Sequence, residues 1–166
     1  LETAYQHVRT ELAASLIQHI KNNSWGFFEH MVVKLLVAMG YGGSVRDAGQ
    51  ATRKTGDGGI DGVIKQDRLG LDSIYLQAKR WENVVGRPEI QKFVGALHGQ
   101  RAKKGVFITT SYFTADAKDY AQQIDPKIVL IDGAELVELM IDHNLGVSPV
   151  ATYVIKRVDT DFFIED

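Results

Sequence analysis

The stretch from Gly56 to Lys79 restricts the possible folds of this chain most sharply. It reads Gly-Asp-Gly-Gly-Ile-Asp up to Asp61 and then, after a short polar interval, Ser73-Ile-Tyr-Leu-Gln-Ala-Lys79. In a strand successive side chains alternate faces, so Ile74, Leu76 and Ala78 share one side while Tyr75, Gln77 and Lys79 share the other. The glycine-rich turn lets the backbone fold back sharply, and residues 60–65 alternate as a second strand would. Pairing of the two strands brings Asp61 to Gln77 and Lys79. A carboxylate, an amide oxygen and an ammonium in one place can hold a divalent cation beside a phosphodiester.

Composition narrows the chemistry further. With 166 residues, 45% hydrophobic and 24% charged, the chain suits one globular domain spanning residues 1–166 with a full core. No apolar run approaches the ~20 residues needed to cross a bilayer, and Leu1 opens neither a basic region nor an apolar signal core, so a cytoplasmic protein with no membrane partner is expected. Leu1 in place of an initiating Met points to a fragment or processed product. Absence of cysteine excludes disulfides and thiolate zinc sites, and the histidines (His7, His19, His30, His98, His143) lie far apart. Any metal should therefore be a hard ion bound by oxygen, Mg²⁺ in the first place and Mn²⁺ as its substitute.

The net charge of −2 hides an uneven distribution. From Lys79 to Lys104 seven basic residues face two acidic ones, whereas from Asp132 to Asp166 eight acids face only Lys156 and Arg157. A polyanion is expected at the first segment, with Arg80, Arg87 and Lys92 as candidate phosphate contacts.

Periodicity divides the chain into alternating elements. Residues 4–21 form an amphipathic helix with Val8, Leu12, Leu16 and Ile20 as its apolar stripe. Ser24 caps a second helix from Trp25 to Met39 whose Phe28, Val32, Leu35, Leu36 and Met39 point inward. Glu29 lies beside that face, next to Val32, Val33 and Leu36. Strands follow near 44–48, 60–65 and 73–79. Arg87-Pro88-Glu89 opens a helix buried through Ile90, Phe93, Val94 and Leu97. Gly105–Thr110 is a nearly continuous apolar strand of the kind buried on both faces. Thr114 caps a helix to about Ile124; a strand over Lys127–Ile131, a helix over Ala134–Asp142 and an alternating strand over Tyr153–Val158 complete the order. This predicts an α/β sandwich in which helices flank a central mixed β-sheet.

The ordered string Phe28-Glu29, Met39-Gly40-Tyr41, Gly56-Asp57-Gly58-Gly59-Ile60-Asp61, Gln77-Ala78-Lys79-Arg80, Lys104 to Thr110, and Ile131-Asp132-Gly133 with Leu136 resembles the Mrr-type restriction endonuclease catalytic domain of the PD-(D/E)xK nuclease superfamily. It covers most of the chain. The resemblance implies the restriction-endonuclease-like three-layer sandwich and a Mg²⁺-dependent DNA endonuclease of the type IV, modification-dependent restriction class. In such an enzyme an upstream DNA-recognition domain, absent from this chain, reads methylated DNA and this module cuts it. The implied partners are double-stranded methylated DNA and, because two strands need two active sites, a second copy in a homodimer or higher homo-oligomer. The implied location is the nucleoid.

Carried onto this chain, the family pattern makes Asp61 the principal metal ligand, joined by the Gln77 side-chain carbonyl, the Ala78 backbone carbonyl and Glu29, directly or through water. Lys79 orients or deprotonates the attacking water, or stabilises charge on the phosphorus; both roles stay open. Asp57 is a weaker candidate, and Tyr75 shares the strand face. Ile60 stands where the superfamily name has Pro, and Gln77 replaces the acidic residue, so the site carries one negative charge fewer. An Asp beside Gly-Gly is by itself commonly a turn residue. The conjunction of these residues on compatible elements carries the reading. Two other functions fit the same residues: a structure-selective nuclease resembling a Holliday-junction resolvase, and a catalytically weak DNA-binding or dimerisation module of the same fold. The missing Gly-Lys-Ser/Thr ending and the missing Gly-x-Ser-x-Gly argue against a P-loop NTPase and a serine hydrolase.

Overall fold

The computed structural model describes residues 1–43 and 61–164. Within them the chain forms helices α1 (Glu2–Asn22) and α2 (Trp25–Ala38), strands β1 (Gly62–Lys65) and β2 (Ser73–Lys79), helix α3 (Arg87–Gly99), strand β3 (Lys104–Thr109), helix α4 (Ala115–Gln123), strand β4 (Lys127–Ile131) and helix α5 (Gly133–Asp142). The strands lie in the order β1-β2-β3-β4, with β1 antiparallel to β2 and the others parallel, so the sheet is mixed. The expected strand near 44–48, the turn through Ile60 and Asp57 lie outside the described residues.

Local signals place most boundaries. Ser24 Oγ accepts from Phe27 N at the start of α2, Thr114 Oγ1 from Ala117 N at α4, and Asp132 Oδ1 from Glu135 N at α5. Each side chain satisfies an N–H that the first helical turn leaves without a partner. Pro88 sits in the first turn of α3, where its missing N–H costs nothing.

The sheet separates two apolar layers. Ile64, Ile74, Leu76, Ala78, Val106, Ile108 and Ile131 pack under α1, α2 and α5, whereas Phe107 and Ile128 pack with α3 and α4. β3 is buried on both faces, as its continuous apolar run predicts. Phe107 makes edge-on contacts with Phe93 and Phe113, both with centroids 5.6 Å away. The result is the expected three-layer α/β/α sandwich.

Two expectations fail. In α1, Leu16 and Ile20 are buried but Val8 and Leu12 are exposed. The amino-terminal half of the helix is held instead by Arg9, whose guanidinium pairs with Glu138 and with Asp142 at 2.6 Å on α5. Residues 153–158 form no strand. Tyr153, Val154, Ile155 and Val158 are all at least 69% exposed. Alternation alone does not make a strand; it needs a neighbour for its backbone groups and a layer for its apolar face, and this segment has neither here.

Candidate functional site

The register of the β1-β2 pair builds the centre of the site. Gly62 faces Leu76, so Asp61 sits opposite Gln77, and Asp61 N donates to Leu76 O at 2.8 Å. From there the Asp61 carboxylate reaches along β2. Its Oδ2 accepts from Gln77 Nε2 at 3.0 Å and from Ala78 N at 2.7 Å. Two donors on one oxygen fix the orientation of the carboxylate before any ligand arrives. Among the described residues Gln77 is buried, as are the polar side chains of Thr109 and Thr110.

Helix α2 supplies the second carboxylate. Its buried stripe lies on the Leu76/Ala78 face of the sheet, and Glu29, Val32, Val33, Asp61, Gly62, Leu76 and Ala78 line one small cleft of about 10 Å³. That is room on the scale of one water molecule or small cation. Trp25 Nε1 donates to Glu29 Oε1 at 2.5 Å, one helical turn away, and holds the carboxylate half-buried.

Lys79 is placed differently from expectation. Its ammonium lies 3.5 Å from Glu89 Oε2 on α3 and 4.4 Å from the Trp81 ring centroid. Among the described residues it makes no ion pair with Asp61. Glu89, which sequence reasoning missed, also pairs with Lys92 at 3.2 Å. The available signal was its position in the first turn of α3, in an otherwise basic segment that begins at Lys79.

The structure thus brings together Asp61, Gln77, Ala78 and Glu29 and places Lys79 on the neighbouring α3 side. Gln77 meets Asp61 through its amide nitrogen and Ala78 meets the same carboxylate through its N–H. Tyr75 packs with the α3 and α4 layer, away from the cleft. Among the described residues no three carboxylate or histidine side chains converge on one point. A hard cation still fits the donor chemistry, since two carboxylates, the Gln77 amide oxygen and the Ala78 carbonyl are all oxygen donors.

The basic segment is partly committed to the fold. Arg80 Nη1 donates to Lys21 O at 2.6 Å, clamping the end of α1 to the end of β2. Arg87 pairs with Asp116 at 3.4 Å and stands 4.7 Å from the Tyr120 ring. Lys92 is 71% exposed.

The model of a restriction endonuclease family, the Mrr catalytic domain, matches residues 20–140. The chain is 50% identical over 163 residues to the type IV methyl-directed restriction enzyme EcoKMrr of Escherichia coli strain K12, a match covering 98% of this chain and 53% of that protein. It therefore spans about half the length of that relative. Among solved structures it is similar to the DNA modification-dependent restriction endonuclease AspBHI, with TM-score 0.58 at 20% identity over 82% of this chain and 36% of that one. It is also similar to the MspJI restriction endonuclease in complex with a 27-mer oligonucleotide, with TM-score 0.55 at 20% identity over 80% of this chain and 31% of that one. At that identity the two structures speak for the fold alone. The family match spans the α2 carboxylate, the β1-β2 strand pair and the basic turn into α3, and the chain belongs to the Mrr-type restriction endonuclease catalytic domain family.

Proposed function

We propose that this chain is the cutting module of a modification-dependent restriction enzyme and hydrolyses DNA phosphodiesters with a bound divalent cation, Mg²⁺ in the first place. The observation that carries the reading is the meeting of Asp61, Gln77 and Ala78 at one end of a strand pair, with Glu29 on the wall of the same cleft.

Asp61 and Glu29 would hold the cation, with the Gln77 amide oxygen after rotation of the amide, and with the Ala78 carbonyl. The ion would supply positive charge at the scissile phosphate and acidify a water. Asp61 is oriented in advance by the Ala78 N–H, which stays in place when the Gln77 amide turns. Lys79 brings a cation to the end of the same strand, suited to offset negative charge developing on the phosphate, and Glu89 and Trp81 hold it there. Lys92 and Arg87 on α3 extend the positive surface along which a duplex backbone can lie. Two copies, each with one such site, would cut both strands. A methylated duplex is the substrate suggested by the name of the E. coli relative.

The test is cleavage of methylated and unmethylated plasmid by the full-length protein, with Mg²⁺ and with EDTA, alongside Asp61→Asn. Cutting confined to methylated plasmid with Mg²⁺, and lost in Asp61→Asn with an unchanged melting temperature, is expected. Cutting that survives EDTA or Asp61→Asn would remove the site.

A further inference from the structure

The segment after α5 is the least explained part of the chain. Leu145 and Val147 still touch the core, but from Ser148 onward every described residue is exposed. Val150, Tyr153, Val154, Ile155, Val158, Phe162, Phe163 and Ile164 are 69–98% exposed. Soluble proteins do not leave that much contiguous apolar surface to water without a use for it. Its centre, Tyr-Val-Ile-Lys-Arg-Val, combines β-branched and aromatic residues in the composition of a strand.

The fold also carries a matching acceptor. β4 ends the sheet on the side away from β1, and among the described residues nothing pairs with its outer edge. An open groove flanks that edge on each face. One, of about 260 Å³, runs along Phe113, Ala121, Ile128 and Leu130 and is bordered by Lys118, Asp132 and Glu135. The other, of about 300 Å³, runs along Leu36, Met39, Val129 and Ile131. Val129, at the middle of the edge strand, is 44% exposed. An added strand presents its residues alternately to the two faces, which is what two grooves with apolar floors astride one unpaired edge can receive.

We infer that residues 153–158 of one copy add as a strand to the outer edge of β4 in a second copy, and that this reciprocal exchange is the dimer interface of the domain. Tyr153 and Ile155 enter the aliphatic groove beside Val129, and Val154 and Val158 enter the groove beside Leu130. Alternation then sets Lys156 at the groove whose border carries Asp132, Glu135 and Lys118, and Arg157, at the end of the strand, on the face of Lys104 and Lys127. The size is sufficient: each tail and each receiving edge would cover about 400 Å², so a twofold pair of exchanges buries on the order of 1,600 Å², the area of a specific interface. The exchange stands apart from the cleavage chemistry and holds whether or not the Asp61 cleft cuts DNA.

The absence of cysteine makes the test direct. A chain carrying Val129→Cys is mixed with a mass-tagged chain carrying Ile155→Cys under mild oxidation, and sedimentation mass is measured for the wild type and for a chain ending at Thr152. A dimeric wild type, a disulfide joining tagged to untagged chains, and a monomeric truncation that keeps the wild-type circular dichroism and melts where the wild type melts when diluted to monomer are expected, because among the described residues the tail packs against nothing in its own chain and dimerisation alone adds to its stability. A monomeric wild type, or a truncated chain that stays dimeric, overturns the inference. So does a doubly substituted chain that closes its disulfide internally and runs as a monomer, or a tagged Ile155→Cys chain captured by Leu12→Cys on the exposed stripe of α1 in preference to Val129→Cys.

Discussion

Replacing Gln77 by Glu should unsettle the metal-free protein and make its stability depend on divalent cations. In the present structure Gln77 is 6% exposed and its Nε2 lies 3.0 Å from Asp61 Oδ2. A Glu there exchanges a donor for a second negative charge. Two unit charges ~3 Å apart repel by about 5 kcal/mol at an effective dielectric near 20. The pair can escape by binding one proton; lifting a carboxyl from its ordinary value of ~4.3 to neutrality costs about 4 kcal/mol at ~1.4 kcal/mol per unit. The smaller cost wins, so the variant loses about 4 kcal/mol in EDTA. For a domain of this size that lowers the melting temperature by about 10 °C. A cation between the two carboxylates removes the repulsion and binds the folded state alone, so added Mg²⁺ should restore most of the loss and shift the variant far more than the wild type. Gln77→Leu loses only the amide donor, about 1–2 kcal/mol, and should respond little to Mg²⁺. Thermal unfolding of the three proteins over a Mg²⁺ titration, with cleavage measured alongside, checks this. Equal melting temperatures in EDTA for wild type and Gln77→Glu would refute the Asp61 contact. Equal Mg²⁺ responses would refute Gln77 as a ligand, as would Gln77→Leu that cuts like wild type.

Lys79→Ala should lower turnover by about 100-fold or more with little change in DNA affinity, and Glu89→Ala about 10-fold by loosening the ammonium; single-turnover rates checked against binding constants separate this from a loss of affinity. Neutralising Arg87 and Lys92 should weaken binding to all sequences and flatten its salt dependence, whereas Arg80→Ala should mainly lower the melting temperature, by about 2–4 °C, through the lost bond to Lys21 O. An unchanged salt slope would place DNA elsewhere. A hydrogen bond from Lys104, 2.6 Å away, keeps the Asp72 carboxyl below the usual carboxylate range. Its folded value being depressed, the pair contributes above the ordinary carboxylate value and is lost as pH falls through the folded one. Asp72→Asn should therefore melt below wild type at neutral pH and converge with it in acid; a gap persisting in acid would contradict the pairing. Gly133→Ala should fail to fold or melt much lower, because its Cβ would collide with the Thr110 backbone oxygen, which cannot move aside as a side-chain tip can; a normal melting curve would contradict the close approach of α5 to the end of β3.

What the sequence discloses and what it hides follow the range of the interactions involved. Caps at Ser24 and Thr114 and Pro88 in the first turn of α3 act within a few residues, and the corresponding helices begin where those signals place them. The meeting of Asp61 with Gln77 is longer in range yet legible, because alternation and a glycine-rich turn leave a strand pair little freedom of register. The same alternation does not tell where a long side chain ends. Lys79 belongs to the expected face, but Glu89 arrives from a helix across the sheet and draws the ammonium to it. Arg80 is likewise claimed by Lys21 O, a backbone group 59 residues earlier in the chain, which no charge count along the sequence can foresee. The tail is the converse case. Its alternation is a strand pattern that finds no neighbour among the described residues, since a strand is defined by its neighbour as much as by its residues. A local pattern that the tertiary structure leaves unused is thus a question about a second molecule, and the open edge of β4 is where this fold offers it a place.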